Sequence, residues 1–206
     1  MNESKKILMT ILRDKDTSML QFRNAAHQLA LILAQKALSY VPVKDRTVTT
    51  PLEQPFVGNE LACPVTLVPI LRSGLALLPA FLEYFSTARI GILGLKRDEK
   101  TAVAHWYYKN MPNLSTDEIV VVLDPMLATG GSLLEALTFI TNMGVDQKRI
   151  LYAGVISAQA GVDAVQERYP HIKMIIADGD KELNSAKYIV PGLGDFGDRF
   201  FGTIAS

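Results

Sequence analysis

The segment Val122-Leu123-Asp124-Pro125-Met126-Leu127-Ala128-Thr129-Gly130-Gly131-Ser132 decides the fold of this 206-residue chain. It continues a short apolar run that begins at Ile119, and it leads into an apolar-periodic stretch that extends to Met143. A short apolar run is typical of a buried strand, whereas apolar residues at three- and four-residue steps are typical of a helix. Paired glycines mark a turn. The segment therefore predicts a strand, a turn and a helix in succession.

The same alternation continues on both sides of this segment. We predict strands at residues 65–70, 89–95, 119–123, 150–156 and 172–177, and helices at 17–40, 73–85, 132–143 and 158–169. Such alternation is typical of an α/β fold with a parallel sheet covered by helices on both faces. Residues 41–63 are expected to form a loop or a short hairpin. Residues 98–116 and 179–206 interrupt the alternation, and long irregular segments in compact domains are often functional.

Length and charge narrow the classes of function. A chain of 206 residues predicts a single domain over residues 1–206. Lys plus Arg equals Asp plus Glu, at 21 each, so no general attraction for nucleic acid or anionic lipid is expected. No apolar run approaches the roughly 18 residues that span a bilayer, which predicts no membrane partner and a cytoplasmic location. Cys63 is the one cysteine of the sequence, so neither an intramolecular disulfide nor a multi-cysteine zinc site is expected.

The turn after Leu123 has the composition of an anion site. Asp124 follows a buried strand, and open α/β sheets bind ligands at the carboxyl ends of their strands. Thr129–Ser132 would present backbone N–H groups at a helix start, where the helix dipole favours a phosphate. A plain capping box over Ser132–Glu135 is the alternative interpretation of the same residues.

The segment Asp124–Ser132 resembles the loop that binds 5-phosphoribosyl diphosphate in type I phosphoribosyltransferases. Its form is most similar to that of the uracil phosphoribosyltransferase family. Other members usually carry two adjacent acids, whereas Pro125 takes the second position here. Purine-specific members often have an acid just before the threonine, and Ala128 stands there in this chain. Both departures weigh against a purine substrate.

Three further segments resemble the same family. Val68–Gly74 is similar to its diphosphate-contacting turn, with Ser73 where alanine is more usual, and Lys96–Thr101 is similar to the start of its active-site loop. The segment Tyr188-Ile189-Val190-Pro191-Gly192-Leu193-Gly194-Asp195-Phe196-Gly197-Asp198-Arg199 resembles the hood that covers uracil. The resemblance implies a phosphoribosyltransferase sheet flanked by helices, a small hood at about residues 179–206, and a projecting arm, to which Tyr107 and Tyr108 are assigned.

The resemblance implies an enzyme that forms uridine 5′-monophosphate and diphosphate from uracil and 5-phosphoribosyl 1-diphosphate. Asp124, Arg72, Arg97 and Asp195 are the implied catalytic residues. Asp124 would accept the ribose hydroxyls, and Arg72 and Arg97 would bind the diphosphate. The residues implied to bind 5-phosphoribosyl diphosphate are these four and the rest of the loop, namely Pro125, Met126, Leu127, Ala128, Thr129, Gly130, Gly131 and Ser132. The residues implied to bind uracil, through backbone N–H and C=O groups, are Ile189, Gly194, Asp195 and Phe196.

Besides its implied place in uracil binding, Asp195 is expected to contact the diphosphate-ribose or its metal. The implied cofactor is Mg²⁺, carried mainly by the diphosphate and not held in a dedicated protein site. The family also implies a homo-oligomer and raises GTP as an effector. Two alternatives remain open. One is a phosphoribosyltransferase for a purine or another base, and the other is a non-catalytic, regulatory protein that keeps the fold. Trp106 is expected either to lie beside the projecting arm or to contact another subunit of an oligomer.

Overall fold

In a computed structural model, residues 3–97 and 104–203 are described. The helices are α1 (Glu3–Arg13), α2 (Met19–Leu38), α3 (Leu78–Tyr84), α4 (Gly131–Asn142), α5 (Gln159–Arg168) and α6 (Phe196–Phe201). The strands are β1 (Val43–Thr49), β2 (Pro55–Leu61), β3 (Val65–Leu71), β4 (Arg89–Ile90), β5 (Ile92–Arg97), β6 (Ala104–Asn110), β7 (Ile119–Leu123), β8 (Met126–Leu127), β9 (Ile150–Ala158), β10 (Lys173–Asp180), β11 (Glu182–Leu183) and β12 (Ile189–Val190).

The main sheet has the order β10-β9-β7-β3-β5-β6, with β4 beside β3 and β8 beside β9. Its neighbouring strands from β10 to β5 are parallel, and β6 pairs antiparallel with β5 at the edge. This confirms the α/β architecture and the predicted order of strands and helices. The chain from β3 crosses through α3 to β5 on one side, whereas the chain from β7 crosses through α4 to β9 on the other. The switch point therefore lies between β3 and β7, where open sheets bind ligands.

Two apolar clusters cover the two faces of the sheet. One contains Phe22 of α2, Phe81 of α3 and Val121 of β7, and the other contains Val122 of β7 and Leu137 of α4. Because successive side chains of a strand point to opposite faces, β7 contributes to both clusters and is buried throughout. Continuous apolar runs were the sequence signal for such strands, and this signal was correct.

Helix α2, predicted at residues 17–40, spans Met19–Leu38 and begins with a side-chain cap. Ser18 is its N-cap and accepts a hydrogen bond from the Gln21 backbone N–H, while the Gln21 side chain accepts from the Ser18 N–H. This capping box satisfies two backbone donors that the helix start would otherwise leave unpaired. Helix α1 was not predicted. It buries Leu8, Met9 and Leu12, and it packs against α2.

The position of the projecting arm was predicted wrongly. Tyr107 and Tyr108 lie on β6, an edge strand of the main sheet, because their backbone pairs with β5. The separate hairpin is formed by β1 and β2, and every residue of β1 is exposed. Residues 41–63 thus contain the short hairpin that was one of the two expectations for them. Trp106 packs within the chain against Phe139, with ring centroids 5.5 Å apart.

Candidate active site

The ends of β3 and β7 bring Arg72, Ser73 and Asp124 to one place in the sheet. Pro69 of β3 pairs with Leu123 of β7, so the chain leaves both strands side by side. Gly74 makes this approach possible, because a Cβ at that position would lie 2.3 Å from the Leu123 carbonyl oxygen. The Ser73 hydroxyl donates to Asp124 Oδ1 at 3.3 Å. Ser73, which departs from the usual family residue, therefore contacts the acid predicted to bind ribose.

Asp124 is half-buried and its carboxylate is loosely held. Besides Ser73, the Met126 backbone N–H donates to Oδ1 at 3.4 Å. Burial raises the pKa of Asp124 to about 7, although the hydrogen bonds from Met126 and Ser73 act in the opposite direction. A carboxyl group with a pKa raised to near neutrality at the end of a buried strand is typical of a functional site.

The backbone of Asp124 is fixed more firmly than its side chain. Its N–H donates to the Ala153 carbonyl at 3.2 Å, and its carbonyl accepts from the Tyr152 hydroxyl at 2.7 Å. Tyr152 is fully buried, and a Cβ at Gly154 would lie 2.6 Å from its hydroxyl oxygen. Burial, followed by the nearby Asp124 carboxylate, raises the pKa of Tyr152 well above its ordinary value, so it remains a donor. Tyr152 was not among the predicted site residues, and its one sequence signal is a hydroxyl within an apolar strand.

The predicted phosphate loop precedes a helix start without a side-chain cap. Gly130 is the N-cap of α4, with φ +85°, and no side chain caps this helix. The capping-box interpretation of Ser132–Glu135 is therefore wrong, because Ser132 already lies inside the helix. Uncapped N–H groups at a helix start form an anion site.

The two glycines of the loop differ in how much space surrounds them. A Cβ at Gly130 would lie 3.3 Å from the Gly161 carbonyl oxygen of α5, and its left-handed φ also favours glycine. A Cβ at Gly131 would contact only the Thr129 hydroxyl oxygen, at 3.9 Å. The protein itself therefore leaves the space above Gly131 open, as a bound anion would require.

The hood contacts Arg72 and the loop that follows Asp124 through the first residues of α6. Asp195 is the exposed N-cap of α6, and its Oδ1 accepts from the Asp198 N–H at 2.9 Å. Arg72 Nη2 lies 3.6 Å from Asp198 Oδ1, and the Arg72 side chain is 59% exposed. The Phe196 N–H faces Met126 Sδ at 3.4 Å, which joins the hood to the loop. The structure thus brings Arg72, Asp124 and the start of α6 together.

Phe196 contributes to the hood through its backbone. Its ring is fully buried and packs edge-on against Phe22, with centroids 5.1 Å apart. Ile189 is also buried, on β12, and Gly194 is exposed with φ +80°. Arg97 ends β5, and the Asp98–Thr101 part of the predicted active-site loop lies outside the described residues.

A buried acid, Glu118, lies at the opposite end of β7 from Asp124, and both of its carboxylate oxygens have partners. It accepts from Arg89 Nε at 3.2 Å and from the Ser115 N–H at 3.0 Å, and it also contacts the Thr66 hydroxyl. These partners account for its burial structurally. Within residues 3–97 and 104–203, no group of three or more His, Cys, Asp or Glu side chains could hold a metal. Over the same residues, no helix is long and apolar enough to cross a membrane.

The fold of this chain is the one found in phosphoribosyltransferases of known structure. The fold resembles that of hypoxanthine phosphoribosyltransferase from Staphylococcus aureus, with a TM-score of 0.50 at 10% identity over 86% of this chain and 82% of that one. Similarity is much closer to a solved protein of Aquifex aeolicus, with a TM-score of 0.92 and 33% identity over 100% of this chain and 98% of that one.

Sequence comparison identifies the family. The family model described as uracil phosphoribosyltransferase matches residues 2–203. The uracil phosphoribosyltransferase of Limosilactobacillus fermentum is 37% identical over 95% of this chain and 92% of its own length. That of Symbiobacterium thermophilum is 40% identical over the same shares. The chain belongs to the uracil phosphoribosyltransferase family.

Proposed function

We propose that this protein transfers the 5-phosphoribosyl group of 5-phosphoribosyl 1-diphosphate to uracil, forming uridine 5′-monophosphate and diphosphate. The observation that carries the proposal is the junction of Asp124 with the uncapped start of α4 at the switch point of the sheet. Family membership and the names of the relatives support uracil as the base.

The start of α4 would bind the 5′-phosphate. No side chain caps the backbone N–H groups at the start of α4, and Thr129 Oγ1 is the one atom within 4 Å of a Cβ built on Gly131. This arrangement binds an anion with fixed partial charges, so no side chain must reorganise during the reaction. Thr129 and Ser132 add hydroxyl groups at the two ends of the turn.

Asp124 and Arg72 would act on the ribose and the diphosphate. The Asp124 carboxylate, held by weak contacts of 3.3 and 3.4 Å, can exchange these for ribose hydroxyls. Arg72 is largely exposed and has a long contact to Asp198, so its guanidinium can turn toward a diphosphate and bind it with two parallel hydrogen bonds. Arg97, at the end of β5, remains a prediction for the same role.

Asp124 and Asp195 fit an Mg²⁺ ion that arrives with the diphosphate. Mg²⁺ commonly binds through one or two carboxylates plus substrate phosphates and keeps several waters, so the Asp124 carboxylate and the exposed Asp195 carboxylate are the groups that would contribute. When bound, the ion would neutralise charge on the departing diphosphate. Asp195 would contribute its carboxylate while remaining the N-cap of α6.

The hood would recognise uracil through its backbone. Uracil presents two carbonyl acceptors on either side of an N–H donor, and backbone groups near Ile189, Gly194, Asp195 and Phe196 would provide the complementary pattern. Cytosine would leave buried polar groups unpaired, which can discriminate by about 10⁴–10⁵. The same N–H groups would stabilise negative charge that develops on the base.

The proposal extends to a homo-oligomer. Large apolar side chains are exposed on the β1–β2 hairpin and its turn, with Leu52 at 83%, Phe56 at 58% and Val57 at 61% exposure. Exposed apolar residues gathered on one hairpin suit contact with a second subunit. GTP as an effector and the cytoplasmic location remain predictions from the family resemblance.

A base panel tests the assignment against its alternatives. Radiolabelled uracil, cytosine, hypoxanthine and adenine are each incubated with 5-phosphoribosyl 1-diphosphate, with and without Mg²⁺. We expect nucleotide from uracil in the presence of Mg²⁺ and far less from the other bases. A preference for a purine would contradict the choice of base. An RNA gel shift with no nucleotide formed would instead favour the regulatory alternative.

A further inference from the structure

Gly192 in the hood is held at both of its backbone groups by one ion pair. Its N–H donates to Asp180 Oδ2 at 2.9 Å, and its carbonyl accepts from Arg13 Nη1 at 2.9 Å. Arg13 and Asp180 also bind each other through two parallel hydrogen bonds, both of 2.8 Å. The pair therefore satisfies both backbone hydrogen-bonding groups of Gly192, as a neighbouring β-strand would.

The ion pair joins the hood to two distant elements. Arg13 is the last residue of α1, and Asp180 is the last residue of β10. The Asp180 side chain is 8% exposed and that of Arg13 is 22% exposed, so both charges are largely removed from water. Bidentate pairs between arginine and a carboxylate are strong and geometrically specific, and solvent screens a buried pair little.

The turn that contains Gly192 is tightly constrained. Gly192 has φ +64°, and a Cβ there would lie 2.1 Å from the Ile189 carbonyl oxygen. The positions of Ile189 and Gly192 are therefore coupled. Ile189 and Gly194 carry backbone groups that are proposed to contact uracil. A shift of Gly192 would move groups on both sides of it.

Arg199 provides a second tie between the hood and α1. Its Nη1 donates to the Leu193 carbonyl at 2.7 Å and also contacts the Leu12 carbonyl, while its Nη2 donates to the Asp14 carbonyl at 2.6 Å. Carbonyl groups at a helix C-terminus favour a cation. Gly192 is thus bound by Arg13, which belongs to α1, and Leu193 is bound by Arg199, which belongs to the hood and also contacts the end of α1. Both residues of the hood are therefore tied to the end of α1.

We propose that Arg13 and Asp180 are positioning residues for base recognition, which set the hood backbone that reads uracil without touching either substrate. This inference rests on the proposed function. A backbone site has no side chain that can adjust, so its specificity depends on where the turn is held. Small displacements of recognition groups are costly, since about 1 Å can lower a rate on the order of a hundredfold.

Two neighbouring aspartates provide a matched test. Asp178 also binds Arg13, through Nη2 at 2.9 Å, but it does not accept the Gly192 N–H. Asp180→Ala and Asp178→Ala therefore remove the same charge from Arg13, and only the first releases Gly192. We expect Asp180→Ala to raise the KM for uracil roughly tenfold to a hundredfold, with the KM for 5-phosphoribosyl diphosphate within about threefold of wild type. Asp178→Ala should leave both constants within about threefold.

The outcomes separate a positioning role from a general structural one. Equal effects of the two variants, or equal effects of Asp180→Ala on both substrates, would overturn the inference. If Asp180→Ala does not fold, Arg13→Met, which removes the donor to the Gly192 carbonyl, is judged by the same KM split. Wild-type protein that forms no uridine 5′-monophosphate would refute the proposed function. An active wild type with an unchanged uracil KM in Asp180→Ala would refute only the positioning role.

Discussion

Gly131→Ala is expected to change stability and substrate binding in opposite directions. Gly131 begins α4 with helical backbone, and an added Cβ would contact only Thr129 Oγ1, at 3.9 Å. Replacing glycine by alanine at a compatible helical position stabilises a protein by about 0.4–1 kcal/mol. For a chain of this size, that corresponds to a rise in the melting temperature of roughly 1–4 °C.

The same methyl group would occupy the space proposed for the 5′-phosphate. If it displaces the phosphate from one backbone N–H, a charge-assisted hydrogen bond of about 1.5–3 kcal/mol is lost. This loss predicts a KM for 5-phosphoribosyl diphosphate that is raised roughly ten- to hundredfold. Steady-state kinetics of uridine 5′-monophosphate formation and a thermal unfolding curve measure the two effects on one sample.

Gly144→Ala is the matched control for Gly131→Ala. Gly144 follows the other end of α4, has φ +93°, and has nothing within 4 Å of an added Cβ. Alanine in this left-handed conformation costs about 1–2 kcal/mol, so stability should fall while the KM stays unchanged. A Gly131→Ala protein that is stable and keeps the wild-type KM for 5-phosphoribosyl diphosphate would refute phosphate binding at the start of α4.

Three other substitutions test Asp124, the Tyr152 hydroxyl that binds the Asp124 backbone, and Asp195. Because the pKa of Asp124 is raised from its ordinary 3.8 to about 7, the folded state binds the extra proton and wild-type stability should decrease from pH 4 to pH 7. Asp124→Asn should remove that decrease in urea unfolding while lowering turnover; an unchanged pH dependence would show that the carboxyl titrates normally. Tyr152→Phe should lower kcat several-fold by releasing the Asp124 carbonyl. Tyr169→Phe, which loses a half-buried hydroxyl contact to Thr138, should not lower kcat, and equal kinetics of the two variants would argue against a role for Tyr152. Asp195→Asn keeps an oxygen that can cap α6, so turnover reduced by well over tenfold in a folded variant would report the lost charge, and near-wild-type turnover would remove Asp195 from the mechanism.

Local sequence signals predicted the centre of the fold well. The buried strand at 119–123 and helix α2 were predictable because their signals, an apolar run and apolar residues at helical spacing, are local to the segment itself. The turn after Leu123 was predictable for the same reason, since an acid at a strand end and paired glycines are adjacent in the chain.

The features that the sequence did not reveal depend on distant contacts. Strand β6 is mostly exposed and lacks apolar alternation, so pairing with β5 defines it. The ion pair between Arg13 and Asp180 spans 167 residues and leaves no local pattern. The direction of the Phe196 ring depends on Phe22 in another helix. Hydrogen-bond partners and ring packing are set by the tertiary fold, which single-sequence patterns do not encode.

The most direct test of the account is the stoichiometry of the reaction. Purified protein is incubated with uracil, 5-phosphoribosyl 1-diphosphate and Mg²⁺, and uridine 5′-monophosphate and diphosphate are quantified together by chromatography. The account predicts that the two products appear in equal amounts and that neither forms when uracil is omitted. Diphosphate release without uridine 5′-monophosphate, or no product from folded protein, would contradict phosphoribosyl transfer to uracil.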